Sequence, residues 1–261
     1  MKILVVITTA FTSTGGLTTV MMNYYRAMNK EGLKIDFAST NVPSQSLLDE
    51  IHVEGSEYYQ LPPRKKIVSY FYRLRRLCKN YDLLHVHGNS STSVLELMAA
   101  NWAGVKRRIV HNHTSRSQHP WINLLLHPFF LMSYTKAIAC SDAAGEWLFG
   151  NKQYQILRNA IKVSCFHYDV SVRQQIRQLL GISDSTFLVG HVGKFMDAKN
   201  HPFVIAVFAE IHRLIPNSKL LLVGDGPLRG MVETAVKNLH VEDCVILVGL
   251  RSDIPQLLQS F

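Results

Sequence analysis

Eight short runs of valine, isoleucine and leucine recur along the chain, separated by longer stretches with apolar residues at helical intervals. They lie at Ile3–Thr8, Ile35–Ala38, Leu83–His87, Arg108–His111, Ala137–Cys140, Leu188–Val192, Leu220–Val223 and Val245–Val248. Most are continuous rather than alternating, as in parallel strands covered on both faces. The intervening patterns, such as Thr18–Met28, Val94–Ala103, Val204–Leu214 and Arg229–Leu239, predict helices. The β-α-β-α order specifies doubly wound α/β structure. It is interrupted near 158–186. Arg158-Asn-Ala-Ile-Lys162 closes a strand-like run, a polar helical segment Ser171–Leu180 follows, and a new core strand begins at Phe187. This pattern predicts domains at 1–165 and 185–261 with a connecting segment at 166–184. The second, with three strands, is expected to be too short to complete a two-sided sheet alone.

A hydrophobic share of 47% excludes a disordered chain. The cysteines (Cys78, Cys140, Cys165, Cys244) are scattered with no C-x-x-C pair, which argues against a disulfide framework or a zinc site built on thiolates. The start reads as a strand rather than a secretory signal. The longest apolar stretch, Trp121–Met132, is broken by Asn123, His127 and Pro128 and falls short of the roughly 20 residues of a spanning helix. A cytoplasmic protein, peripheral at the inner membrane face, is the expectation. Up to Val170 there are 19 Lys/Arg against 11 Asp/Glu; from Ser171 onward there are 9 against 8. The first half thus carries nearly all the net +9 and is expected to face an anionic partner.

The segment from Pro63 to Lys79 holds seven basic residues and no acidic one. Ile67, Phe71 and Leu74 recur at helical spacing, so a helix there buries one side and shows cations on the other. Arg64, Lys65, Lys66, Arg73, Arg75 and Arg76 form either a solvated helix face or a docking patch for anionic lipid or a phosphate-bearing acceptor. No nucleic-acid motif accompanies them, and no nucleic-acid partner is expected.

Gly190-His-Val-Gly-Lys-Phe-Met-Asp-Ala-Lys-Asn-His201 runs from a strand into a glycine turn with Lys194 and Lys199 beside exposed amides, which suits phosphate oxygens. Gly224-Asp-Gly-Pro227 makes a second strand-to-helix turn and Gly249-Leu-Arg251 a third, with Asp253 placed as a helix cap. Near the start, Thr14-Gly-Gly-Leu-Thr18 is a turn of the same kind, without the spacing of a dinucleotide fingerprint. His85-Val-His87 and His111-Asn-His113 end two strands, on the edge where open α/β sheets bind ligands. Both pairs have ligand-like spacing, but neither has a cysteine or carboxylate companion, so no metal is expected.

These turns, in this order, resemble glycosyltransferase family 4, the large retaining family of nucleotide-sugar enzymes with two Rossmann-like domains (GT-B). Ala139-Cys-Ser-Asp-Ala-Ala-Gly-Glu-Trp-Leu-Phe-Gly150 and Ala103-Gly-Val-Lys-Arg-Arg-Ile-Val-His111 are similar to its bacterial capsular and exopolysaccharide members. The resemblance implies Lys194 and Lys199 on the donor diphosphate and Gly16 approaching that phosphate across an interdomain cleft. It places His113, with His111 as the second choice, near the transferred sugar. Gly224, Asp225, Gly226, Leu250 and Arg251 would lie along the nucleotide. Arginine is usual where Lys194 stands; lysine keeps the charge and loses the bidentate fork. The implied donor is a UDP-sugar, used without cofactor or metal, and the acceptor a lipid-linked or polysaccharide chain.

The family's two glutamates separated by seven residues have no counterpart here; their place falls after Phe261. The expectation is therefore a C-terminally truncated, incomplete second domain with an uncovered sheet edge and impaired transfer. The alternatives are an inactive remnant, a partner subunit joined by a complementing C-terminal half, and a nucleotide-sugar epimerase of the same fold.

Overall fold

The computed structural model describes residues 1–13, 15–117 and 119–261, and its two parallel sheets are built from the apolar runs. The chain divides into a first unit, Met1–Ile161, and a second, Lys162–Phe261.

In the first unit, strands β1 (Lys2–Ile7), β2 (Lys34–Ser39), β3 (Tyr58–Gln60), β4 (Leu83–Gly88), β5 (Arg107–Asn112), β6 (Lys136–Ala139) and β7 (Gln155–Ile156) lie in the order β3-β2-β1-β4-β5-β6-β7. The chain works outward from β1 to β3 and then crosses to β4 and works outward the other way. This reversal puts the return helices on opposite faces. Helices α1 (Gly16–Ala27) and α2 (Gln45–Val53) pack Met21, Met22, Tyr25, Leu47 and Ile51 against Val5, Ile7, Ile35 and Phe37. Helices α3 (Ile67–Cys78), α4 (Val94–Trp102), α5 (Pro120–Ser133) and α6 (Asp142–Phe149) cover the other face, over Leu4, Val6, Leu84, Val86 and Val110. Strand β1 feeds both cores through alternate residues, Leu4 and Val6 to one and Val5 and Ile7 to the other, which is why it is apolar over Ile3–Ile7. Strands β4 and β5 instead set His85, His87 and His111 opposite Leu84, Val86 and Val110. The short edge strands β3 and β7 carry no fully buried residue, and the apolar pattern gives no signal for them.

In the second unit, α7 (Val170–Leu179) precedes β8 (Phe187–Val192), α8 (His201–Leu214), β9 (Ser218–Val223), α9 (Arg229–Asn238), β10 (Val245–Leu247) and α10 (Ile254–Gln259). The parallel sheet has the order β10-β9-β8. Ile205, Phe208, Val232 and Val236 cover one face over Leu220 and Leu222. Ile176, Leu180, Leu257 and Phe261 cover the other over Leu188, Leu221 and Val223.

This arrangement corrects two expectations. Three strands do suffice for a sheet covered on both faces. Residues 166–184, expected as a connector, lie inside the second unit and supply part of that cover. The polar look of α7 concealed its role, because its inward anchor is an arginine. Arg177 is 1% exposed and donates 2.6 Å hydrogen bonds to the carbonyls of Ser183, Thr186 and Ser260. Those bonds join α7, the turn before β8 and the end of α10 into one layer.

Candidate active site

In the second unit the three strand-to-helix turns are bonded to one another at the C-terminal edge of the sheet. Gly193 N–H donates to Val223 O at 2.9 Å and Phe195 N–H to Asp225 O at 3.0 Å. Leu228 N–H donates back to Phe195 O at 3.2 Å, and Gly224 N–H to Gly249 O at 2.8 Å. Two glycines are required here by space. A Cβ on Gly224 would overlap the Gly193 carbonyl, and one on Gly226 would overlap the backbone of Phe195. The Phe195 ring is fully buried and pins the first turn. Lys194 and Lys199 are both exposed beside it, and the aliphatic stem of Lys199 lies over Gly193. The turn ends at Asn200 in the left-handed region (φ 44°), a conformation that asparagine tolerates, and α8 begins at once. His201 is buried edge-on to the rings of His191 and Phe195, and burial lowers its pKa. The cationic pair thus sits on a rigid, close-packed base next to the N-terminus of a helix.

Other expected nucleotide contacts are more committed to their own loops. Asp225 accepts from the Gly226 amide at 2.7 Å and faces Arg229 at 3.5 Å. Leu250 is exposed. Arg251 forms a two-pronged ion pair with Asp253, at 2.8 and 2.6 Å. Asp253 stands at the start of α10 but caps no amide with its side chain, because the guanidinium holds both its oxygens. The helix-cap reading of Asp253 is therefore corrected to an arginine-orienting role.

In the first unit, Gly15 accepts from the Thr19 amide at 2.8 Å to start α1. Nothing lies within 4 Å of where a Cβ on Gly16 would be, so a ligand can approach its backbone. Thr14 of the same turn lies outside the described residues. Sequence spacing treated the two histidine pairs separately; the structure brings them together. Register pairs His87 with His111 across β4 and β5, and His85 and His113 follow two residues away on the same side. His87 Nδ1 and His113 Nε2 share a hydrogen bond at 3.0 Å. Ring centroids are 4.1 Å apart for His111 and His113, and 4.3 Å for His85 and His87. Burial, reinforced by the neighbouring imidazoles, lowers the pKa of His85 to about 4 and of His111 to about 2. His113 is lowered to about 4 by burial. All are neutral near pH 7.

The basic patch is less uniform than its sequence. Arg64 turns inward: its Nε lies 3.0 Å from Glu96, which is fully buried, and its Nη2 donates to Thr92 O at 2.8 Å. Tyr70 donates to the same carboxylate at 2.7 Å. Burying Glu96 requires such partners, so Arg64, only partly exposed, is tied to an interior carboxylate rather than free on the patch. Arg75 donates to Trp102 O at 3.2 Å. Lys65, Lys66, Arg73 and Arg76 are exposed, together with Ile67, Val68 and Tyr72.

Sequence reasoning missed the character of α5. Its inward side carries Asn123, which accepts from the Ser91 amide at 2.8 Å, and His127, which bonds Ser91 Oγ at 2.9 Å. Among its apolar side chains only Phe130 is buried. Trp121, Leu124, Leu125, Phe129 and Met132 are 60–84% exposed. Beside it a groove of about 420 Å³ is lined by Arg116, Asn123, Leu124, His127 and Trp147. Among the described residues no helix is long and apolar enough to cross a membrane.

Comparison with known proteins agrees with this layout. The glycosyltransferase EpsF of Bacillus subtilis (strain 168) is 26% identical over 263 residues, covering 95% of this chain and 68% of its own. The N-acetyl-alpha-D-glucosaminyl L-malate synthase of Bacillus anthracis is 27% identical over 267 residues, covering 96% and 69%. The crystal structure of Anabaena HepE in complex with UDP and glucose superposes with a TM-score of 0.82 at 19% identity, covering all of this chain and 72% of that one. That solved neighbour has the GT-B fold. Residues 172–261 match the model of the glycosyl transferases group 1. With residues 14–162 matching the model of Glycosyltransferase Family 4, the chain belongs to that family of GT-B glycosyltransferases.

Proposed function

We propose that this protein moves a sugar from a nucleotide-sugar donor, a UDP-sugar, to a lipid-linked or polysaccharide acceptor with retention of configuration, in the synthesis of a surface polysaccharide. The observation that carries the reading is the interlocked set of turns with Lys194 and Lys199 exposed on it. As the bond from the anomeric carbon to the diphosphate oxygen breaks, negative charge grows on the leaving nucleoside diphosphate. Two fixed ammonium groups stabilise that charge. The acceptor hydroxyl attacks the anomeric carbon on the leaving-group side, and its proton passes to a phosphate oxygen. Gly16 offers a backbone that a phosphate can approach, and His113 offers a ring nitrogen to the sugar. That HepE was solved with UDP and glucose supports the same choice of donor.

The acceptor reading rests on α3 and α5. Cations interleaved with apolar side chains on α3, and an outward apolar face on α5, fit a lipid-bearing acceptor at an anionic membrane surface.

Calorimetric titration with UDP and GDP tests the donor assignment. Saturable UDP binding, lost when Lys194 and Lys199 are both changed to alanine, is expected. Absence of binding to either nucleotide overturns it in favour of a non-catalytic partner subunit.

A further inference from the structure

We propose that His85, His87 and His111 form a binding site for one divalent transition-metal ion of the zinc class. One ligand nitrogen from each can be chosen so that all lie within 4.8 Å of one another. Three imidazoles on a four-coordinate zinc stand about 3.3 Å apart. The cluster therefore needs an inward shift of about an ångström, together with a turn of the His85 and His111 rings, which stack at an interplanar angle of 6°, so that their lone pairs converge.

The case does not rest on proximity alone. His111 is 1% exposed, and neither of its ring nitrogens has a hydrogen-bond partner. His85 Nε2 is likewise buried and unpartnered. A neutral imidazole carries one N–H and one lone pair, so His111 alone leaves a donor and an acceptor without partners. Leaving such groups unmatched is costly, and each needs an explanation. A cation accepting the lone pairs of three neighbouring rings supplies one for the unmatched acceptors.

The neighbouring bond supplies the orienting contact that metal-bound histidines usually have. His87 is held through Nδ1 by His113 at 3.0 Å, leaving Nε2 for the metal. A metal on Nε2 fixes the His87 proton on Nδ1, which donates to His113 Nε2. His113 then carries its own proton on Nδ1. The backbone holds the cluster firmly: His87 O accepts from the Thr8 amide at 3.1 Å and from its hydroxyl at 3.0 Å. An all-imidazole set suits zinc, copper, nickel or cobalt and not magnesium or calcium. A three-histidine set also leaves a coordination position open at the ligand-binding edge of the sheet.

The test uses the chain without a polyhistidine tag, stripped with chelator and titrated with Co²⁺. Intense visible absorption of four-coordinate cobalt, saturating at one equivalent and displaced by Zn²⁺, is expected. His113→Gln should weaken binding about ten- to hundredfold, and His85→Gln and His111→Gln at least as much. His119→Gln, an exposed control, should leave it unchanged. No cobalt spectrum with folded wild-type protein, or titrations unchanged in both His85→Gln and His111→Gln, overturns the proposal. Because a substitution in a buried cluster can unfold the unit, X-ray absorption on the wild-type zinc form counts imidazoles directly. Three or more support the site; fewer than three overturn it.

Discussion

Gly224 faces the carbonyl of Gly193 so closely that a methyl group on Gly224 has no room. Its φ of 142° is one that L side chains rarely adopt. The contact fixes the spacing between the turn bearing Lys194 and the turn bearing Asp225. Gly224→Ala should therefore destabilise the second unit by about 1–3 kcal/mol and weaken UDP binding together with it. Urea denaturation and calorimetry on the same sample check both; a variant with native stability and native affinity would contradict this account.

Gly16 is the contrasting case. Nothing surrounds its missing side chain, and it opens a helix. Gly16→Ala should leave stability unchanged or raise it by up to about 1 kcal/mol, while affinity for the intact nucleotide sugar falls. The separation of the two readouts distinguishes a ligand-approach glycine from a folding glycine.

Arg177 presents an equally specific dependence. Its guanidinium satisfies three carbonyls from two segments, the turn before β8 and the end of α10, and has an aspartate, Asp184, only at 4.0 Å. Arg177→Met keeps the volume and leaves those carbonyls unmatched. The expected loss is about 3 kcal/mol or more, seen as a lower urea midpoint for the second unit. Arg177→Lys should recover only part of it, since an ammonium cannot reproduce the planar fork.

The outward face of α5 predicts membrane attachment. Leu125→Glu with Met132→Glu changes two side chains that are 72% and 84% exposed, so folding should survive. Sedimentation with anionic phosphatidylglycerol vesicles should drop severalfold relative to wild type. Lys65→Ala with Arg73→Ala should instead weaken sedimentation at low salt and flatten its dependence on salt, because exposed cations act through screened attraction. Unchanged sedimentation in both double variants would remove the acceptor reading of this face.

The runs at Leu4–Ile7 and Leu220–Val223 were legible because strands buried on both faces must be apolar at every position. The glycine turns were legible because a backbone that packs on backbone, as Gly224 does on Gly193 and Gly226 on Phe195, admits no other residue. What sequence could not give came from long-range pairing. His87 and His111 are 24 residues apart and meet only through the register of β4 and β5. Arg64 reads as a surface cation until Glu96 is placed beneath it. The apolar pattern of α5 has the period of a buried helix, and only the Ser91 contacts reveal that its polar stripe faces inward.

Lys194 offers the sharpest test of the donor site. It stands immediately before a fully buried anchor, Phe195, so its backbone position is fixed while its side chain is exposed. Lysine presents a point charge, whereas arginine at the same position can grip two phosphate oxygens at once. Lys194→Arg should retain UDP binding and tighten it, whereas Lys194→Ala should lose about 1.5–3 kcal/mol, or roughly ten- to hundredfold in affinity. Raising the salt concentration should weaken wild type and Lys194→Arg alike and narrow their gap to Lys194→Ala. If arginine bound UDP no better than alanine, the ammonium would be a surface charge and Lys199 alone would carry the phosphate contact. Calorimetry on the three proteins at low and high salt decides between these outcomes.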